Sequence, residues 1–241
     1  MNFSIVLASR ERTHLLESLL ESIYNNTYDK NNCEVICVLD NDDRVTKRFI
    51  PKLNNKCPIV KFVFRDRAGN LNDDYINWGY KNFSTGNNII VVNDDVVFKT
   101  KDWDRIALEH LNKYFIDKPD GIGYGWIEDG LPGRAGNLDY CCFPLVTRKA
   151  AEVAGFVMPV EFPGWGADIG LYRIYAAIGR IVKIEGVKFA HISHHTGLRN
   201  RDHISFSVER KSHGTINPID AFNINPYVER ISKFLTSTPT P

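Results

Sequence analysis

Short apolar runs and helical periods alternate along the first hundred or so residues of the chain. Phe3 to Leu7 predicts a strand, and apolar residues at helical spacing predict a helix over about Thr13 to Tyr24. The alternation continues with strands predicted at 34–39, 59–64 and 88–92 and helices at 45–53, 72–83 and 103–115. This β-α-β-α order predicts a parallel, doubly wound sheet.

The pattern is less regular after about residue 120. Residues 121–136 are rich in Gly and Pro and predict loops. Further elements are predicted as a strand at 141–146, helices at 148–154 and 168–179, and strands at 180–184 and 187–190. We interpret residues 1–205 as one domain and residues 206–241 as a polar C-terminal extension whose last residues are disordered.

Composition is that of an ordinary globular protein. Of 241 residues, 43% are hydrophobic and 24% are charged, and the formal net charge is +1. Lys and Arg are scattered, which argues against nucleic acid as the main partner. No apolar stretch is long enough to predict a signal sequence or a transmembrane segment. The five cysteines lack the spacing of a metal site, so we expect free thiols and a cytoplasmic location.

Polar groups follow three of the predicted strands, where doubly wound sheets bind their ligands. The polar groups are Ser9, Arg10 and Arg12 after the first strand, next to Ala8, then Asp40 at the end of the second, and Asn93, Asp94 and Asp95 after the fourth. All lie where a nucleotide is expected to bind.

The segment Asn93-Asp94-Asp95 offers hard oxygen ligands, which suit Mg²⁺ or Mn²⁺. A solvated turn is the alternative interpretation, because Asn and Asp favour turns. The segment resembles the Asp-X-Asp element of GT-A glycosyltransferases, in a variant that begins with Asn. The resemblance implies that Asn93 and Asp95 lie at the metal, with Asp95 a direct ligand, and that Asp94 lies near the donor ribose or sugar.

Asp168 follows the turn Pro163-Gly164-Trp165-Gly166 and begins a predicted helix. Asp is a common helix N-cap, which is one interpretation. The stretch also resembles the segment of family-2 glycosyltransferases in which an Asp, preceded by Glu, deprotonates the acceptor hydroxyl. Ala167 replaces that Glu here. The resemblance implies that Asp168 is the catalytic base.

Three histidines, His191, His194 and His195, lie within five residues of one another. Neutral imidazole is a ligand for ions of the Mn²⁺ class, and GT-A enzymes often place a late His on the metal or the diphosphate. The resemblance implies a metal ligand here, His194 first and His191 second. Arg199 follows and suits a phosphate, with a solvated basic loop as the alternative.

The same resemblance implies a nucleotide site. In the family, the positions after the first strand and the Asp of the second strand hold the base and ribose, and a loop and helix start contact the nucleotide and diphosphate. Here these positions are Ala8, Ser9, Arg10, Arg12, Asp40, Arg67, Asn70 and Asn72. Asp40 suits the N–H of uracil. The alternative for Asn72 is that it only caps the helix.

The resemblance covers about residues 3–200. It implies an α/β, Rossmann-like GT-A fold with a mainly parallel central sheet flanked by helices. It also implies a metal-dependent glycosyltransferase that moves a sugar from a nucleotide-sugar, first of all a UDP-sugar, to a hydroxyl of a glycan or glycoconjugate. Direct displacement with one base predicts inversion at the anomeric carbon.

Two other functions are the alternatives to this one. A sugar nucleotidyltransferase is disfavoured, because Ser9-Arg10-Glu11-Arg12 contains no glycine for a phosphate loop. A non-catalytic nucleotide-sugar or glycan-binding module is the alternative from a different class. The side chains of Trp126, Trp165 and Tyr124 are candidates for stacking on a sugar, with core packing as the alternative. The oligomeric state is left open.

Overall fold

The computed structural model describes residues 1–131, 139–193, 197–198 and 221–237. Within these ranges the strands are β1 (Phe3–Ser9), β2 (Cys33–Asp40), β3 (Val60–Arg65), β4 (Asn88–Val91), β5 (Val96–Phe98), β6 (Tyr124–Glu128), β7 (Leu145–Thr147) and β8 (Ile181–His191). The α-helices are α1 (Thr13–Asn26), α2 (Arg44–Lys56), α3 (Trp78–Phe83), α4 (Trp103–Ile116), α5 (Arg148–Ala154), α6 (Ala167–Ala177) and α7 (Asn225–Ser237). A 3₁₀ turn, Lys30–Asn32, precedes β2, and a π-helical segment, Leu71–Asn77, precedes α3.

The strands form one mixed sheet in the order β3-β2-β1-β4-β7-β6-β8-β5. The pairs β1–β2, β1–β4, β2–β3 and β6–β8 are parallel, whereas β7 is antiparallel to both β4 and β6. Because β7 lies between β4 and β6, strands β6 and β8 run in the same direction as β1 to β4. The carboxyl ends of β1, β2, β4, β6 and β8 therefore lie at one edge of the sheet, called the carboxyl edge below.

Helices cover both faces of the sheet, which explains why β1 and β2 are nearly continuous apolar runs. Alternate side chains of β1 enter opposite cores, Ile5 and Leu7 on one side and Val6 on the other. Helices α1, α2 and α4 complete the first core, and α3, α5, α6 and α7 complete the second. The predicted α/β architecture is confirmed.

The end of the described chain packs against the second core. Helix α7 contacts α5 and α6, and its Ile231 is fully buried. Phe222, just before α7, packs edge-on against Phe162 with ring centroids 4.9 Å apart. An apolar face therefore draws this part of the predicted polar extension onto the domain. The helix reaches Ser237, and residues 238–241 lie outside the described ranges.

Two elements differ from the sequence prediction. The section predicted as loops contains β6, because its glycines permit close pairing: a Cβ on Gly125 would lie 2.9 Å from the Cβ of Leu145 in β7. The two strands predicted at 180–184 and 187–190 are the single strand β8, which continues through Gly186 at φ +81°. Within the described ranges no helix has both the length and the apolar character that crossing a bilayer requires.

Candidate functional site

The carboxyl edge gathers many of the predicted site residues. Ser9 ends β1, Asp40 ends β2 and His191 ends β8, while Asp94 and Asp95 follow β4. Because these strands run in one direction, side chains from distant parts of the sequence lie together. The geometry shows which of them contact one another.

Asp94 holds the loop after β1 in place. Its Oδ2 accepts a hydrogen bond from Ser9 Oγ at 2.7 Å, and its Oδ1 accepts one from Arg12 at 2.9 Å. Burial raises the pKa of Asp94 to about 6; the charge of Asp95 adds to this, and Arg12 and Ser9 oppose it. Three of the residues predicted to meet the donor are thus tied to one another.

Asp95 and His191 form a pair that fits two positions of a metal shell. His191 Nε2 lies 3.3 Å from Asp95 Oδ1, and the backbone N–H of Ile192 donates to the carbonyl of Asp95 at 2.7 Å. Two neighbouring ligands of an octahedral ion with bonds of about 2.1 Å are about 3 Å apart. Asn93, in contrast, is exposed.

The rest of a metal shell is not found in the described ranges. They contain no group of three or more His, Cys, Asp or Glu residues that could hold an ion. His194, the first-ranked histidine, lies outside them, as does Arg199. The structure therefore places two of the predicted ligands together and leaves the roles of His194 and Arg199 as predictions.

Arg10 and Asp40 join the ends of β1 and β2. Arg10 donates to Asp40 Oδ2 at 2.8 Å and also binds Asp42, while the hydroxyl of Tyr75 donates to Asp40 Oδ1 at 2.5 Å. Asp40 is buried, and each of its oxygens already accepts one hydrogen bond. A carboxylate oxygen has a second lone pair, which is what a uracil N–H would use.

The segment around residue 70 supports the loop that precedes Asp168. Asn70, not Asn72, caps the helical segment, since its side chain accepts from the N–H groups of Asn72 and Asp73 at 3.0 Å. The cap predicted at Asn72 was wrong by two residues, because the helix starts earlier. The buried amide of Asn72 instead donates to the carbonyls of Phe162 at 2.6 Å and Gly164 at 3.0 Å.

Two further residues predicted to contact the nucleotide, Ala8 and Arg67, lie near the ends of β1 and β3. Ala8 is half-buried in β1, opposite Val38 of β2. Arg67 is exposed. A hydrogen bond from Arg10 lowers the pKa of Asp42, and the charge of Arg67 adds to this effect. Arg67 is thus available at the surface near the ends of β1 and β2.

Asp168 lies in the first turn of α6, after Gly166, whose φ of +89° suits glycine. The side chain is half-buried and accepts from the N–H of Ile169 at 2.9 Å. Burial raises its pKa to about 6; the hydrogen bond from the N–H of Ile169 and the influence of the Cys142 thiol oppose this rise, and the charge of Asp129 adds to it. A carboxyl with this pKa can accept a proton near neutral pH.

Asp129 and Cys142 were missed as site residues. Asp129 has no exposed surface; its carboxyl accepts from the N–H of Cys142 at 2.7 Å, and its carbonyl accepts from the N–H of His191 at 3.3 Å. The position of Asp129 directly after β6 could have identified it, since Asp95 likewise follows β4. This position was overlooked because the residues of β6 were predicted to form a loop.

No protein-family model matches the chain, and a search of curated proteins found no match. Solved structures do match. The crystal structure of S. aureus TarS 1–349 has a TM-score of 0.59 at 16% identity, covering 79% of this chain and 60% of that one. TarS 1–349 in complex with UDP-GlcNAc has a TM-score of 0.58 at 17% identity, covering 98% and 72%.

A second protein gives the same result. The mannosyltransferase PcManGT from Pyrobaculum calidifontis, in complex with GDP-Man and Mn²⁺, has a TM-score of 0.58 at 14% identity, covering 100% of this chain and 76% of that one. The chain spans less than two thirds of the first TarS structure, 60% of its length. At these identities the similarity concerns the fold. The chain therefore has the GT-A glycosyltransferase fold that the sequence resemblance implied.

Proposed function

We propose that the protein is a metal-dependent, inverting glycosyltransferase that moves a sugar from a nucleotide-sugar to a hydroxyl of a glycan or glycoconjugate. The proposal rests on two features: the pair Asp95 and His191, with 3.3 Å between Oδ1 and Nε2, suits a metal ion, and the carboxyl of Asp168, whose pKa burial raises to about 6, suits a general base. Backbone contacts also tie His191 to the neighbouring chain: its N–H donates to the carbonyl of Asp129, whose carboxyl accepts from the N–H of Cys142. The fold supports it, because structures that share it contain UDP-GlcNAc, or GDP-Man with Mn²⁺.

Asp95 and His191 are the residues that would hold the ion, with His194 as a further predicted ligand. A carboxylate oxygen and an imidazole nitrogen suit Mn²⁺, and Mg²⁺ is the second candidate. When bound, a divalent ion supplies positive charge that stabilises the departing nucleoside diphosphate. Asp94 supports this part of the site by holding the loop after β1.

Asp168 takes the proton from the acceptor hydroxyl. Its pKa of about 6 leaves it mostly ionised at neutral pH and still basic enough to act. As the proton moves to the Asp168 carboxylate, the acceptor oxygen bonds to the anomeric carbon and the bond to the diphosphate oxygen breaks. Attack from the side opposite the leaving group inverts the anomeric configuration.

The donor nucleotide lies over the ends of β1 and β2 in this proposal, with UDP-sugars as the first candidates. Asp40 would accept from the uracil N–H through its free lone pairs. Burial, together with the hydrogen bond to Asp40, raises the pKa of Tyr75 to about 12, which keeps the Tyr75 hydroxyl protonated as a donor. Tyr75 and Arg10 thereby fix the carboxyl that reads the base.

Calorimetric titration of UDP and GDP, with and without Mn²⁺, tests the proposal. We expect metal-dependent binding of UDP that is lost in Asp95→Ala and retained in Asp139→Ala, since Asp139 is an exposed carboxyl that pairs with Lys183. Wild-type protein that binds neither nucleotide would contradict the proposal. Product from UDP-GlcNAc or another UDP-sugar should show inverted configuration by NMR, and nucleotide binding without any turnover would instead favour the binding module.

A further inference from the structure

The loop that follows β1 carries two arginines whose side chains reach to opposite sides. Arg10 donates to Asp40 Oδ2 at 2.8 Å, at the end of β2, and Arg12 donates to Asp94 Oδ1 at 2.9 Å, after β4. Strand β1 lies between β2 and β4 in the sheet, so residues 10–12, called the arginine loop below, join these two strand ends at the carboxyl edge. The conformation of the arginine loop therefore determines where both guanidinium groups lie.

The middle residue of the arginine loop has an unusual backbone conformation. Glu11 has a φ of +56°, in the left-handed region that residues other than glycine seldom adopt. Such a conformation persists only where surrounding contacts hold it. The N–H of Glu11 donates a hydrogen bond to Asp43 Oδ2 at 3.0 Å. Asp43 thus contacts the loop at the turn between the two arginines.

Asp43 is also the N-cap of α2, and its two contacts use different oxygens. Oδ1 accepts from the N–H of Thr46 at 2.9 Å, whereas Oδ2 accepts from Glu11. A cap needs only one oxygen: Thr147 caps α5 with a hydroxyl that accepts from the N–H of Ala150 at 3.3 Å. Asp43 has no exposed surface, and burying a carboxylate is costly unless its oxygens have donors. Capping alone therefore does not account for the carboxylate, whose second oxygen meets the arginine loop.

We propose that Asp43 is a positioning residue of the nucleotide site: by holding the turn at Glu11, it keeps both arginines on their aspartate partners. The inference rests on the proposed function, in which Asp40 reads the base and Asp94 supports the metal side of the site. Because Asp43 has no exposed surface, it acts through the arginine loop and not on the nucleotide directly.

The variant Asp43→Ser separates the two contacts of Asp43. Serine is a good N-cap, so its hydroxyl can still accept from the N–H of Thr46. The N–H of Glu11 then loses its acceptor. Helix α2 should therefore form as before, while the turn between the arginines is released.

Asp104 provides a matched control position. It is 5% exposed, and its carboxyl likewise accepts from two backbone N–H groups, those of Tyr28 at 2.7 Å and Asp29 at 2.9 Å. It lines a cavity with Phe3 at the start of β1, so the length of that strand, at about 3.3 Å per residue, places it roughly 20 Å from the carboxyl edge. Asp104→Ser therefore reports what general destabilisation alone does to the site.

The first measurement follows the ¹⁵N signals of the arginine side chains by NMR in the full chain without ligands, assigned through Arg10→Lys and Arg12→Lys. A guanidinium that charge-assisted hydrogen bonds hold in place rotates slowly about its Nε–Cζ bond. Both arginines should rotate slowly in the wild type and in Asp104→Ser, and faster in Asp43→Ser. Unchanged rotation in Asp43→Ser, or fast rotation already in the wild type, would overturn the inference.

Calorimetric titration of UDP with Mn²⁺ supplies the functional readout. Asp43→Ser should weaken UDP binding by roughly tenfold, because the arginine loop then has to be ordered when the nucleotide binds, and Asp104→Ser should leave the affinity unchanged. In the Arg10→Ala background, Asp43→Ser should have a smaller effect, since residues that act through one another are not additive. An equal loss of affinity in Asp43→Ser and Asp104→Ser, or an equal effect of Asp43→Ser in both backgrounds, would refute the positioning role.

The two measurements distinguish failure of the inference from failure of the proposed function. Wild-type protein that binds neither UDP nor GDP would remove the proposed function, and the NMR comparison would still decide whether Asp43 holds the arginine loop. Wild-type binding of UDP that Asp43→Ser leaves unchanged would remove only the positioning role.

Discussion

Replacement of Asp168 by Asn should increase the stability of the fold at neutral pH. The pKa of this carboxyl rises from 3.8 to about 6, mainly through burial. The folded protein therefore binds the Asp168 proton more tightly than the unfolded chain does. Stability is lost as pH rises from about 4 to about 6, and above that range the full cost of ionising the buried group is present.

The size of the effect follows from the shift. One pKa unit corresponds to about 1.4 kcal/mol, so the shift of about two units sets an upper limit of about 3 kcal/mol. Because the side chain is half-buried, solvent screens part of this cost, and we expect about 1–2 kcal/mol. Asn keeps an oxygen that can accept from the N–H of Ile169, so the local hydrogen bond is retained.

Urea denaturation of the two proteins at pH 4 and pH 7.5 measures this difference. We expect nearly equal free energies of unfolding at pH 4 and a variant that is more stable by about 1–2 kcal/mol at pH 7.5. Asp94 has a similarly raised pKa, but it is present in both proteins and cancels in the comparison. Asp139→Asn, at an exposed position, serves as control. A variant that is less stable at pH 7.5, or a difference independent of pH, would refute the reasoning.

Four further predictions concern activity and support of the site. The kcat of the wild-type enzyme should fall below about pH 6 as Asp168 is protonated, and a rate that is flat from pH 5 to 8 would contradict its role as base. His191→Ala should weaken Mn²⁺-dependent UDP binding by roughly tenfold or more in calorimetry. Asn72→Ala should cost about 1–3 kcal/mol in urea denaturation and lower kcat, because two backbone carbonyls before α6 lose their donor; Asn82→Ala, at an exposed amide, should do neither. Trp165 is 40% exposed, so Trp165→Ala should raise the KM for a glycan acceptor roughly fivefold without lowering the melting temperature.

Much of the carboxyl edge could be predicted from the sequence, because one rule covers it. Polar residues that directly follow a buried parallel strand lie at the ligand-binding edge, and Asp40 and Asp95 were found in this way. Their strands are largely apolar runs, of eight residues in β2 and four in β4, which a single sequence shows well. The contacts within the edge, such as Asp94 with Ser9 and Arg12, depend on side-chain directions that the pattern does not contain.

Two other parts of the site were predicted wrongly from the sequence, the strand that ends before Asp129 and the helix cap near residue 70. The glycine at position 125 indicated a loop, yet it permits the close pairing of β6 and β7, so the strand end at Asp129 was overlooked. Asn70 and Asn72 are both suitable helix caps by residue type. The packing of the loop at 162–164 determines which of the two caps the helix. The amide of Asn72 donates to two carbonyls of that loop, which leaves Asn70 as the cap.

The charges at the carboxyl edge explain why donor binding should require a cation. Acidic side chains outnumber the arginines among the described residues of this edge: Asp40, Asp42, Asp94, Asp95, Asp129 and Asp168 lie there with Arg10, Arg12 and Arg67. Arg10 and Arg12 already form ion pairs with aspartates, which reduces their attraction for a phosphate. A diphosphate approaching alone would meet net negative charge in a partly buried site, where screening is weak. A divalent ion at Asp95 and His191 reverses that local balance, so we expect nucleotide affinity to follow metal occupancy.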